Sequence, residues 1–293
     1  SRGLGDVYKR QGINVPGTQL SMPFISEQDR ADIIFGIEHG FDYIAASFTR
    51  SAKDILAIRS ILKEYDCHSI NIIAKIENRE GVNNIDSILS AADAVMVARG
   101  DLGVEIDFTE LPGIQKTIID RSFSFGKPIV TATQMLDSMM VNPRPTRAEI
   151  SDVANAIYDG TSAIMLSGET AAGDYPVEAL KTMSAIAERT ENEVHYRDNR
   201  LTDAAGQISV SDATAHAACL TAKDVNASAI VTVSESGNTA RLLSKYRPAQ
   251  PIIACVMNEQ VQRQLAISWG ITPLMMALAH STDELILSLI HIS

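Results

Sequence analysis

Lys75 and Glu77 lie two positions apart at the end of an apolar run, Asn71-Ile-Ile-Ala-Lys-Ile-Glu77. In a β-strand that spacing puts both side chains on one face. Charged groups closing an apolar strand are costly unless they pair, bind a metal or meet a substrate. A second run, Ala94-Val-Met-Val-Ala-Arg-Gly-Asp101, ends in Arg99-Gly100-Asp101, and the glycine lets backbone come close to a ligand. Glu77 and Asp101, from adjacent parallel strand ends, could clamp a divalent cation through hard oxygen ligands. The alternative is a structural ion pair of Lys75 with Glu77 or Asp101. Convergence of three polar groups after two apolar strands favours a site, because strand ends are where α/β proteins bind ligands.

The elements that position these residues follow a strand–helix rhythm from Gly12. Ser26-Glu-Gln-Asp29 reads as a helix start, with Ile33, Ile34 and Ile37 as its apolar stripe. Asp42–Phe48 reads as a strand, and Ser51-Ala-Lys-Asp54 opens a helix carrying Ile55, Ile58 and Leu62. Next come a strand at 71–77, a short helix at Asn84–Ala91, a strand at 94–99 and a helix at Leu111–Phe125. Pro128–Ala132 is a strand, Thr146-Arg-Ala-Glu149 is a capping box opening a helix to Tyr158, and Ser162–Leu166 is a fifth strand. Pro176 sits in the first turn of a helix reaching His195. Five βα units with buried-looking strands imply a parallel sheet, too few to close an eight-stranded barrel. The strands at 41–48 and 162–166 are then open edges, which aggregate unless covered. Tyr196–Asp212 reads as a linker. Beyond it, helices near 213–224, 238–246 and 259–268 alternate with strands at Ala229–Val233, Pro251–Val256 and Thr272–Met276. Residues 1–10 and 287–293 lack this patterning and read as non-native tails, translated adapter sequence.

The 293 residues carry 45% hydrophobic and 21% charged side chains, an ordinary soluble globular balance. Net charge is −11, which argues against nucleic acid as a partner but not against small phosphorylated molecules. Cys67, Cys219 and Cys255 share no metal-ligand spacing and leave an odd thiol, as suits a reducing cytosol. No apolar run approaches ~18 residues, so no membrane partner is expected and a cytoplasmic location is.

Six segments, in order, resemble the pyruvate kinase family: Ile73–Asn78, Met96–Gly103, Ala132–Leu136, Asn142–Glu149, Ser151–Asn155 and Met165–Thr170. The resemblance covers the family's barrel from about Gln11. It implies an α/β fold: a partial TIM (β/α)8 barrel, the last five βα units at 11–195, then a linker at 196–212 and a truncated α/β C-terminal domain at 213–286.

By this resemblance the function is phosphoryl transfer from phosphoenolpyruvate to ADP, giving pyruvate and ATP. Such transfer needs positioning and charge neutralisation more than covalent help. Lys75 matches the lysine that stabilises the phosphoryl group and the enolate. Glu77 and Asp101 match the carboxylates that hold Mg2+ (or Mn2+), and the amides of Gly100 and Asp101 suit the substrate carboxylate. Thr133 matches the threonine that contacts substrate and serves enolate protonation; a helix N-cap is its other reading. Glu77 to Asp101 spans 24 positions and Asp101 to Thr133 spans 32, each about one βα step.

The resemblance also implies K+, with ligands in the N-terminal part of the family's barrel, a homotetramer when full length, and a sugar-phosphate effector near Ser234–Thr239. That last segment reads equally as a plain helix cap. Arg144 and Arg147 read as loop-fixing, Glu169 as a support or an arginine partner, and Met135, Met139 and Met140 as core filler. Two rivals remain: a metal-dependent aldolase or lyase of the phosphoenolpyruvate/pyruvate barrel group, and an inactive ligand-binding fragment. The chain as given is expected to be impaired by truncation.

Overall fold

The computed structural model describes residues 23–193 and 209–277. The two tails lie outside them, as does most of the 196–212 stretch.

The first unit opens with α1 (Glu27–Glu38), whose Ser26 hydroxyl and Asp29 carboxylate cap each other's backbone as expected. β1 (Tyr43–Ala46) is shorter than the expected strand, because the chain turns at Phe48 with φ +52°. α2 (Ala52–Glu64) buries Ile55, Ile58 and Leu62, and β2 (Asn71–Ile76) follows. The helix expected at 84–91 is α4 (Ile85–Ala91), and a further short helix, α3 (Arg79–Asn83), precedes it and meets it at Asn84. β3 (Ala94–Ala98) stops one residue early, because Arg99 already begins α5 (Arg99–Glu105), a helix the apolar pattern does not reveal. α6 (Leu111–Ser124), β4 (Ile129–Ala132), a 3-10 turn at Asp137–Met140 and α7 (Arg147–Asp159) come next. β5 (Ala163–Met165), α8 (Gly168–Ala171) and α9 (Pro176–Glu191) complete the unit.

Its five strands are all parallel, in the order β1-β2-β3-β4-β5, so β1 and β5 are the edges. Alternation along them sorts two cores. Ile72, Ala74, Ile76, Val95, Val97 and Ile129 pack against the helices. Ile73, Ala94, Met96, Val130 and Ala132 line the opposite, inner face. Lys75 continues the inner series two residues after Ile73, which is why a charged side chain ends an apolar strand.

The second unit comprises α10 (Val210–Asp224), β6 (Ile230–Val233), α11 (Asn238–Lys245), β7 (Ile252–Val256), α12 (Glu259–Leu265) and β8 (Ile271–Met275). Its sheet is parallel, in the order β6-β7-β8. α10 begins at Val210, inside the stretch read as linker. Asp212 there accepts from Lys245 Nζ (2.9 Å) and Tyr246 Oη (2.8 Å), tying α10 to α11.

The units meet below the start of β1. Tyr43 Oη donates to the Gln264 carbonyl (2.7 Å), and Gln264 Nε2 donates to the carbonyls of Asp42 (3.1 Å) and Ser69 (2.7 Å). Arg263 pairs with Asp42 (2.8 Å). Ile267 packs onto the inner core of the first sheet, closing its floor with a side chain from the second unit.

Candidate active site

At the opposite end of the strands, Lys75 Nζ lies 2.7 Å from Glu77 Oε1 and donates to Ser47 Oγ at 2.8 Å. The Glu77 side chain is wholly buried. Its Oε2 accepts the Phe48 amide at 2.5 Å, whereas Oε1 receives no hydrogen bond of acceptable geometry despite its charge contact. A buried carboxylate oxygen with lone pairs to spare is what a hard cation seeks.

The backbone around Glu77 is built to hold the 47–50 loop close. Asn78 caps α3 by accepting from Gly81 N (2.7 Å), and its Nδ2 reaches the Thr49 carbonyl at 3.4 Å. Asn84 Nδ2 donates to the Arg50 carbonyl (2.9 Å). A Cβ on Gly81 would stand 2.5 Å from the Thr49 carbonyl oxygen, so only glycine fits. The left-handed turn at Phe48 then aims an amide at Glu77.

One strand further, Gly100 N donates to Thr133 Oγ1 at 2.7 Å, and that hydroxyl donates to the Ala132 carbonyl at 2.6 Å. Two sequence expectations change here. Thr133 is not a helix N-cap: its φ is +70° and no helix starts at it. The Gly100 amide, one of the pair expected to meet a substrate carboxylate, is already engaged by Thr133. Asp101 lies in the first turn of α5, and among the described residues no ion pair or hydrogen bond engages its carboxylate.

Arg99 is the residue sequence reasoning passed over. It is buried and turned away from solvent, donating to the carbonyls of Thr133 (2.7 Å) and Gln134 (3.1 Å). Its Nη1 pairs with Asp152 at 2.7 Å. A β-branched residue at φ +70°, followed by Gln134 at +54°, is strained backbone that needs such a clamp. The available signal was an arginine closing an apolar strand, which must find a buried acceptor.

The lower-ranked residues also find places. Among the described residues Glu169 partners no arginine; its two oxygens accept from Leu136 N (3.0 Å) and Ser167 N (2.8 Å), stapling the ends of β4 and β5. Arg144 and Arg147 are exposed, and the nearby loop is instead fixed by Glu149, which accepts from Ser138 and Thr146. Burial would raise the Glu149 carboxyl, but these bonds outweigh it and hold it below its ordinary value. Met135 and Met139 are fully buried core. In the 234–239 loop the cap of α11 is Gly237, at φ +77°, with no side-chain cap bond. Lys75, Glu77, Gly100 and Thr133 thus form two contacting pairs on successive strand ends. No cluster of three or more His, Cys, Asp or Glu side chains that could hold a metal ion occurs among the described residues.

Comparison with known proteins agrees with this geometry. The pyruvate kinase barrel domain matches residues 2–180, and the pyruvate kinase alpha/beta domain matches residues 212–293. A pyruvate kinase of Geobacillus stearothermophilus is 55% identical over 285 residues, covering 96% of this chain and 48% of that protein. One from Clostridium acetobutylicum is 51% identical over 284 residues, covering 96% and 60%. The crystal structure of a pyruvate kinase from Cryptosporidium parvum superposes with a TM-score of 0.92 at 42% identity, covering 95% of this chain and 58% of that one. The chain spans about half the length of the curated relatives it matches. A parallel strand-end site in an α/β unit, joined to a second α/β unit and matched by both domains in order, places this chain in the pyruvate kinase family.

Proposed function

We propose that the whole protein transfers a phosphoryl group from phosphoenolpyruvate to ADP, giving pyruvate and ATP. Lys75, Glu77, Asp101 and Thr133 are the residues of this chain that serve the reaction. The observation that carries this reading is the buried Glu77: one oxygen is fixed by the Phe48 amide and the other is left without a hydrogen bond beside Lys75. Two oxygen donors of this kind suit Mg2+ or Mn2+ better than a softer metal. When bound, the ion would neutralise substrate charge and favour the enolate.

The chain's own groups do the rest. Lys75, aimed by Ser47, supplies a fixed positive charge where the transferring group's negative charge spreads. The Asp101 amide, at the start of α5, is placed for a substrate carboxylate. Thr133 presents a hydroxyl held by Gly100. Its proton is donated to the Ala132 carbonyl, so delivery to the enolate carbon requires the hydroxyl to rotate away from that carbonyl. Arg99 touches none of these atoms and acts by fixing the backbone of Thr133. We assign no described residue to K+. The sugar-phosphate effector at Ser234–Thr239, the homotetramer and the cytoplasmic location belong to the same proposal. Among the described residues, no helix is long and apolar enough to cross a membrane.

The test joins this chain to the N-terminal segment of the Geobacillus stearothermophilus relative and measures ADP-dependent pyruvate formation. Lys75→Met should lower turnover by at least about 1,000-fold, the scale of losing a preorganised charge at the transition state. Mn2+ binding, followed by electron paramagnetic resonance, should weaken in Glu77→Gln at unchanged melting temperature. Full turnover in Lys75→Met would remove the basis of the mechanism.

A further inference from the structure

At the seam between the two units lies a second pocket, remote from the strand ends that carry the proposed chemistry. Lys127, Gly160 and Ser162 line it from the first unit, and Arg241, Arg247 and Ser268 from the second. Ser244 and Lys245 also contribute to the lining, which contains no carboxylate. In a chain of net charge −11, four cations around one hollow are a local inversion of sign.

Existing partners account for only part of this charge. Lys245 is neutralised by Asp212 at 2.9 Å. Arg247 Nη2 spans the seam, donating to the Gly160 carbonyl (2.9 Å) and Ser162 Oγ (3.0 Å), with its guanidinium 5.0 Å from the Trp269 ring centre. Arg241 donates to the Ser236 carbonyl (3.0 Å) and has no acidic partner among the described residues. The Lys127 ammonium makes no hydrogen bond or ion pair among the described residues, and burial holds it below the ordinary lysine range. Asp93, whose field acts on Lys127, is taken by Arg59 (2.9 Å) and the Ile72 amide (2.8 Å). The Ser268 hydroxyl is buried and unpartnered.

A helix-capping role does not explain the cations. α6 and α11 both end near the pocket, but backbone amides already serve their last turns. Gly126 N and Lys127 N bond to the Phe123 and Ser122 carbonyls, and Arg247 N bonds to the Ser244 carbonyl. What the pocket leaves without a counter-charge among the described residues is therefore an ammonium and a guanidinium, beside a hydroxyl with no partner. Cationic donors without a counter-charge call for an oxyanion.

We propose that this seam pocket binds a phosphate group, held by Lys127 of the first unit and by Arg241, Arg247 and Ser268 of the second, and that its occupancy ties the two units together. The chemistry is shared by free inorganic phosphate and by the head of a small phosphate ester. The site is distinct from both the strand-end site and the 234–239 loop.

The test titrates the full chain with potassium phosphate, methyl phosphate or potassium chloride at matched ionic strength and follows the melting temperature. Phosphate at about tenfold its dissociation constant should raise the midpoint by about 2–3 °C, saturably. The rise should vanish in Lys127→Met and in Arg241→Met and survive in Lys75→Met and Thr239→Ala. Without phosphate, Lys127→Met should melt no lower than wild type, since methionine relieves an unpaired, desolvated charge. A response to methyl phosphate equal to that of phosphate assigns the pocket to an ester head, and a response to phosphate alone assigns it to the free ion. The proposal is overturned if the shift persists in both seam variants, or if phosphate does no more than chloride.

Discussion

The two ends of the five-stranded sheet share the same strands but handle backbone strain in opposite ways. Six non-glycine residues among those described have positive φ. Asp66, Asn226 and Arg247 follow helix ends, where a left-handed residue is the ordinary way to stop a helix. Phe48, Thr133 and Gln134 instead follow strands at the site end, where nothing local favours them. That end also holds the buried Glu77 oxygen without a hydrogen bond. At the start of β1 the reverse holds: Tyr43, Gln264 and Asp42 are bonded into the second unit with ordinary geometry. Backbone strain without a local cause collects where chemistry is proposed, while the lower end near β1 is spent on stability.

Substitutions at the two ends should separate these roles. The largest effect is expected for Arg99→Met, which strips the carbonyls of Thr133 and Gln134 of their donor and leaves Asp152 unpaired. Urea denaturation should show a loss of about 2–4 kcal/mol, with turnover in the joined protein falling as well. Gly81→Ala forces the Thr49 carbonyl away and with it the Phe48 amide. A loss of about 1–3 kcal/mol should be accompanied by weaker Mn2+ binding, which a purely structural loop would not show. Gln264→Ala, at the other end, should cost about 1–2 kcal/mol through two orphaned carbonyls and leave Mn2+ binding unchanged. If Gln264→Ala weakens the ion as much as Gly81→Ala does, the division between the ends fails.

The smallest effect concerns acid stability. Glu149 is held below its ordinary 4.5 in the folded state, so its contribution is complete above that value and disappears as pH falls through the folded pKa. Glu149→Gln should therefore cost less than about 1 kcal/mol at neutral pH and flatten the acid limb of the stability curve. A limb of unchanged slope would show that other carboxylates govern it.

Much of this was legible from local pattern. A period of two placed Lys75 on the inner face, and hydroxyl–carboxylate spacings located the starts of α1 and α7. The family motifs supplied Thr133, which spacing alone would have left as a cap. What escaped depends on contacts between distant segments. Arg99 reads as a strand end until Asp152, 53 positions later, is seen to hold it. Phe48 is neither glycine nor asparagine, so its left-handed turn has no signature; its cause is Glu77, 29 positions on. Gly81 gave a usable hint, a glycine inside a helix next to the Glu77-Asn78 segment, but its partner is the Thr49 carbonyl.

Ile267 under the inner face of the first sheet bears on how the molecule is made. The contacts that close that floor join residues as far apart as Tyr43 and Gln264, a separation of 221 positions. Loop closure on that scale is slow, and a ribosome delivers the two sides at different times. The contact of Ile267 with the cluster of Ile73, Met96 and Val130 therefore forms late, after the strands that carry those residues. Docking of the second unit is then the step that completes this part of the first unit's core, so the two units mature together rather than in turn.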